Sequence, residues 1–274
     1  MRITSWNEII EIIEKSIPNF PDITTNYIQF RGQANNEWKL EPSLTRLVKG
    51  SELSESKIIY YEQQAQREFI SQFHINDSKL SYNESINSTA IYIDMQHFSC
   101  PTRLLDWSES AYIALYFAVN EHLDKDGALF MWDGRFYEKK MNELYGDFLN
   151  IGGGQIISHK DYDIVSIIFA MKKNERLVKQ QGAFSISNNP LKSHCEMISE
   201  INKDDPLKTG LYKIEIPKEL KLEFLARLRN MNISAASLFP GLDGLGRSIK
   251  ETLQLRKWSE DKQHLARNSK STKQ

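Results

Sequence analysis

Stretches with strand character are short in this chain, and long helical stretches separate them in no regular alternation. YIQFRG (27–32), GALFMWD (127–133), AFSIS (183–187) and LYKIEI (211–216) read as strands from their alternating, aromatic or β-branched residues, and Pro217 stops the last. A doubly wound parallel sheet needs strand and helix to follow one another strictly, and this order does not. The pattern predicts an α+β fold, with a small mixed or antiparallel sheet and many surrounding helices. No repeat or linker breaks it, so one domain is expected over 1–258. The Lys-, Ser- and Gln-rich residues 259–274 are expected to form a flexible tail.

The helical stretches have their own signals. Ser5 followed by Glu8 is a capping-box pattern, with Trp6, Ile9, Ile10, Ile13 and Ile17 on one face until Pro18 and Pro21. Residues 54–73 place Ile58, Tyr61, Ala65, Glu68 and Phe69 in rough helical register, and a polar loop (HINDSKLSYNES) leads to a second helix near 87–97. Asp106 with Glu109 reads as a helix start, because Ala111, Ala114, Leu115 and Ala118 then recur at i, i+3, i+4 and i+7. NIGGGQ (150–155) reads as a loop, 161–172 fits helix or strand equally, and 218–230 and 247–258 read as helices.

Charge and cysteine content limit the functions available. The formal net charge is -1, so no global field draws the chain to nucleic acid or an anionic membrane, although a local basic patch stays open. Cys100 and Cys195 are the only cysteines, which fits a reducing compartment. The N-terminus shows no secretory pattern, and no segment approaches the roughly 18 uninterrupted apolar residues of a membrane span. A cytoplasmic protein is expected.

Several chemistries lack their motifs. There is no GxxxxGK[ST] loop, HExxH, paired CxxC or GxSxG. His97 with Cys100 and His194 with Cys195 lack paired ligand spacing, so no metal is expected. GLDGLGR (241–247) precedes a helix and offers backbone N–H groups to an anion, but such glycines more often only turn the chain.

Three polar clusters remain. Arg31 lies between Phe30 and Gly32, which leaves room for a ligand or backbone to approach; Arg31 either clamps a phosphate or carboxylate or forms a structural ion pair with an acid such as Asp106. In PTRLLDW, Thr102 and Arg103 either line a pocket mouth, or Arg103 pairs locally with Asp106 while Leu104, Leu105 and Trp107 fill core. In NERLVKQQGAF (174–184), Arg176, Gln180 and Gln181 precede a strand; the glutamines either read amides and hydroxyls or are simply solvated.

Together these pieces resemble the FRG domain, a mainly prokaryotic family named for its [FY]RG motif. FRGQ, Trp38 and EPSLTR (30–46) are similar to its opening block, and QHFSCPTRLLDWSESAYIALYFA (96–118) to its central block. QQGAF (180–184) and LFPGLDGL (238–245) resemble its later blocks. Ser99, Cys100 and Ser108 depart from the family's usual glycine, aliphatic and threonine. The blocks also resemble ADP-ribosyltransferase-like folds, in which a first-strand arginine holds NAD phosphates and a later glutamate polarises the ribose. Here Gln181 stands where that acid is expected, so Glu175 or another carboxylate serves, or that chemistry is absent.

The resemblance implies a nucleotide-using, NAD-dependent transferase or glycohydrolase-like effector or toxin, with a place in prokaryotic defence. Arg31, Gln33, Thr102 and Arg103 would bind ligand, His97 and Gln181 would act on the ribose or base, and Asp106 and Trp107 would be structural. The alternative is a non-catalytic module that senses a nucleotide, a nucleic-acid end or a protein partner. A third reading makes Arg31, Arg103 and Asp106 a buried structural network.

Overall fold

IQFRGQ pairs along its whole length with GALFMWD, and the rest of the sheet is built outward from that pair. The computed structural model describes residues 1–16, 28–76, 88–146, 153–170, 174–201 and 209–271. Its strands are β1 (Ile28–Gln33), β2 (Leu104–Ser108), β3 (Gly127–Asp133), β4 (Val165–Ile168), β5 (Gly182–Ser187) and β6 (Leu211–Ile216). They form a six-stranded sheet of order β4-β5-β2-β1-β3-β6, and every neighbouring pair is antiparallel. The expected α+β class, with helices around an antiparallel sheet, is the class observed.

The helices are α1 (Trp6–Ser16), α2 (Ser43–Val48), α3 (Glu55–Asn76), α4 (Thr89–His97), α5 (Ala111–Val119) and α6 (Gly134–Tyr145). They continue with α7 (Gly153–Ile156), α8 (Glu175–Lys179), α9 (His194–Glu200), α10 (Lys218–Asn230), α11 (Ala235–Leu238) and α12 (Gly241–Ser271). Two apolar cores lie on opposite faces of the sheet. Phe30, Leu129, Met131, Ile214 and Ile216 pack with α1, α5 and α10. Phe130, Trp132, Leu105 and Ile186 pack with α6, α7 and α9. Each fully buried large side chain contributes roughly 1.5–3 kcal/mol before its ordering entropy is subtracted. Because Phe30 sits opposite Met131 and Arg31 opposite Phe130, strand alternation turns Arg31 away from the α5 core.

Gly32 makes room for backbone, one of the two uses its place beside Arg31 suggested. A Cβ built there would lie 1.8 Å from the Ala114 carbonyl oxygen and 2.6 Å from the Ala118 nitrogen. One built at Gly127 would lie 2.3 Å from the Ala118 oxygen. The missing side chains therefore admit the backbone of α5 against β1 and β3, not a ligand.

Other expectations are corrected by similarly local causes. Asp106 lies inside β2, paired with Phe184 of β5, and does not start a helix. Ser110 caps α5, its hydroxyl accepting from the Ile113 N–H. The buried line of α3 runs Ile58, Glu62, Gln66 and Phe73, while Tyr61, Ala65 and Glu68 are exposed. Apolar periodicity misplaced that face because two of its buried positions are polar. Val165–Ile168 is strand, and Gly153–Ile156 is a short helix where a loop was expected. GLDGLGR opens α12 itself, which continues to Ser271 through most of the expected tail. Pro18, Pro21, Tyr27 and residues 150–152 lie outside the described residues. Among the described residues no helix is long and apolar enough to cross a membrane.

Candidate ligand cleft

The cleft opens where β1, α5, α8 and the start of α12 meet, and encloses about 400 Å³. Arg31 and Gln33, two apart on β1, share one side of the strand. Arg31 Nη1 donates to the Asp106 main-chain carbonyl, while its buried Nε has no hydrogen-bond partner. Burial lowers the Arg31 pKa, the Asp106 charge opposes that, and nearby Arg46 adds to it. Gln33 is 5% exposed; its Nε2 donates to the Lys39 carbonyl at 3.3 Å, and its buried Oε1 is unpartnered. One donor and one acceptor are thus held unsatisfied in the same wall.

Two further arginines reach the cleft from the later blocks. Phe239, buried in the wall, carries the Arg247 guanidinium 4.5 Å from its ring centre and that of Arg176 at 5.1 Å. Arg247 also meets Asp243 at 2.9 Å and Glu121 at 3.7 Å. Arg31 and Arg176 form no carboxylate ion pair among the described residues. Asn174 lines the wall and caps α8, accepting from the Leu177 N–H, and Gln180 donates to the Leu238 carbonyl. Trp38, Phe117 and Phe184 supply flat apolar surface, with Trp38 set edge-on to His122 at 5.1 Å.

His97, at the last turn of α4, lines the cleft, as do Arg31, Gln33, Asp106 and Trp107. Thr102, Arg103 and Gln181 are not in its lining. Arg103 is 0% exposed and bound to Glu62 through Nε (2.9 and 3.1 Å) and Nη2, and its Nη1 donates to the Ser187 and Asn188 carbonyls at 3.1 and 2.8 Å. The local Arg103–Asp106 pair expected from their spacing is replaced by this pair with α3. Thr102 is buried and ties Ser43 to Gln96. Gln181 adopts a φ of 46° in the turn before β5, and its side chain is exposed. Glu175 pairs with Lys179 at 3.0 Å.

Behind Trp107 lies a second buried polar chain. Trp107 Nε1 donates to Ser185 Oγ at 2.8 Å, and Ser185 Oγ lies 2.8 Å from His194 Nδ1. Burial, assisted by the Arg31 charge, lowers the His194 pKa to about 3. The imidazole is therefore neutral and orders the wall from behind. Among the described residues no group of three or more His, Cys, Asp or Glu could hold a metal.

The antiparallel sheet of this α+β chain carries an arginine-lined cleft beside its central strands. The FRG domain family model matches residues 26–127, and the chain carries an FRG domain over that span. The match takes in the first two motif blocks, and those at 180–184 and 238–245 fall beyond it although both reach the cleft region. No curated protein and no solved structure matches the chain. Gln96, Asn174, Arg176, Gln180, Phe239 and Arg247 are among the cleft residues that sequence reasoning left out of the expected site. Phe239 and Gln180 lie inside the later motif blocks, and Arg176 and Arg247 flank them.

Proposed function

We propose that the cleft binds a phosphorylated, nucleotide-type ligand. The observation that carries this reading is the pair of unpartnered buried groups on β1, Arg31 Nε and Gln33 Oε1, in the wall of a cleft that also holds Arg176 and Arg247. Buried polar atoms usually have a partner, and an unmet one in a cleft wall is a place where a ligand can supply it. The guanidiniums favour phosphate, the aromatic residues favour a base, and the amides of Gln33, Asn174 and Gln180 favour ring nitrogens and hydroxyls.

The NAD-consuming transferase or glycohydrolase reading, with an effector or defence role, is a second one. It is favoured by a carboxylate, Asp106, in the same cleft. One experiment addresses both. Titrate the protein with AMP, ATP and NAD by calorimetry, and follow NAD by chromatography over hours. Binding weakened about 10- to 100-fold in Arg31→Met, as expected for a lost charge-assisted hydrogen bond, supports the site. Unchanged affinity in that variant, or no binding at millimolar nucleotide, rejects it. NAD recovered intact leaves a binding module and rejects the enzyme.

A further inference from the structure

Asp106 and Arg31 face the same cleft as opposite charges, yet no ion pair joins them. Arg31 reaches the main-chain carbonyl of Asp106, and the carboxylate is turned elsewhere. It meets Gln96, whose Nε2 stands 3.4 and 3.3 Å from Oδ1 and Oδ2. The direction of that contact is fixed one residue further back. Thr102 Oγ1 accepts from the Leu104 N–H at 3.2 Å, so its proton is free for Gln96 Oε1 at 2.6 Å. With its oxygen so occupied, Gln96 presents its amide N–H₂ to Asp106. Thr102 is itself held by Ser43, which accepts from its N–H at 2.9 Å and donates to its carbonyl at 3.2 Å. The chain from buried Thr102 through Gln96 to Asp106 keeps an exposed carboxylate oriented beside an arginine it does not neutralise. An ionised carboxylate offers about four lone-pair directions, and Gln96 uses only part of them.

We infer that the ligand presents hydroxyl donors next to its phosphate, and that Asp106 accepts from the vicinal hydroxyls of a ribose while Gln96 and Thr102 act as positioning residues. This rests on the reading of the cleft as a nucleotide site. A wall meant for phosphate alone gains nothing from a carboxylate, which repels it. A wall holding a cation and an acceptor side by side matches a ribose phosphate, whose anion and diol are separated by a short link. In doubly wound dinucleotide-binding folds, an acidic acceptor near the phosphate-binding turn takes a ribose hydroxyl in the same chemical way.

The test compares AMP, 2′,3′-dideoxy-AMP and inorganic phosphate by calorimetry. The wild-type protein should bind AMP about tenfold or more tightly than the dideoxy analogue, as charged hydrogen bonds require. In Asp106→Asn that ratio should fall towards one, with phosphate bound at least as well as before. Thr102→Val and Gln96→Met should lower the ratio, and Thr102→Ser should restore it, a pattern that a packing defect alone does not produce. Equal wild-type affinity for AMP and the dideoxy analogue overturns the inference but leaves the nucleotide site standing. A ratio unchanged in Asp106→Asn does the same. Failure of the wild-type protein to bind either nucleotide or phosphate overturns both.

Discussion

Replacing Arg103 by methionine separates a structural arginine from a ligand-binding one. The guanidinium is 0% exposed and satisfies the Glu62 carboxylate, itself 2% exposed on its side chain, along with the carbonyls of Ser187 and Asn188. Methionine fills most of the volume but leaves the Glu62 charge buried and alone, at a cost of about 3–5 kcal/mol. The two stranded carbonyls add to this, up to about 1–3 kcal/mol each where water cannot reach them. For a chain of this size, about 3–5 kcal/mol lowers the melting temperature by roughly 6–20 °C. Urea denaturation of wild type, Arg103→Met, Glu62→Leu and the double variant gives the coupling directly. The double variant should recover the part of the loss due to the isolated charge and retain the part due to the carbonyls. Folded Arg103→Met should bind AMP as wild type does. A loss below about 1 kcal/mol, or weakened AMP binding at unchanged stability, refutes the reasoning.

Two other predictions concern the scaffold. Gly32→Ala should destabilise by about 3 kcal/mol or more in chemical denaturation, because its Cβ would sit 1.8 Å from a helix carbonyl rather than against a flexible side chain. His194 gives a pH dependence. Its folded pKa of about 3 lies below the ordinary 6.5, so the folded state binds fewer protons between those values. Its contribution is complete above about pH 6.5 and is lost as the pH falls towards 3. His194→Gln should flatten the stability-versus-pH curve in that window by up to about 1.4 kcal/mol per unit, and a curve parallel to wild type counts against the buried neutral imidazole.

The fold class was legible because strand alternation and helical periodicity report burial on apolar faces. The strand over 127–133 and the helix over 218–230 needed nothing more. Sequence reasoning failed where a polar residue occupies a buried position. Glu62 and Gln66 rotated the apparent face of α3, and Arg103 drew attention as a ligand residue although its partner lies 41 positions away. Asp106 was taken for a cap because acids often begin helices, whereas its strand partner lies on β5. Arg31, Gln33 and His97, singled out within the first two blocks, line the cleft. Arg247 and Phe239 were not singled out, since only the chain's return through α11 and α12 brings them to the cleft.

The seating of α5 on bare strand backbone has a mechanical consequence. With Gly32 and Gly127 leaving no side chain between helix and sheet, the wall carrying Phe117 and Asn120 rests directly on strand backbone. The facing wall is joined by the Arg176, Phe239 and Arg247 stack, contacts worth about 0.5–1 kcal/mol each at exposed sites, and α12 is tied back to α5 by Tyr116 with Glu251. If the proposed ligand enters the cleft, adjustment falls first to the side chains of α8 and the head of α12, with β1 and α5 as the fixed side.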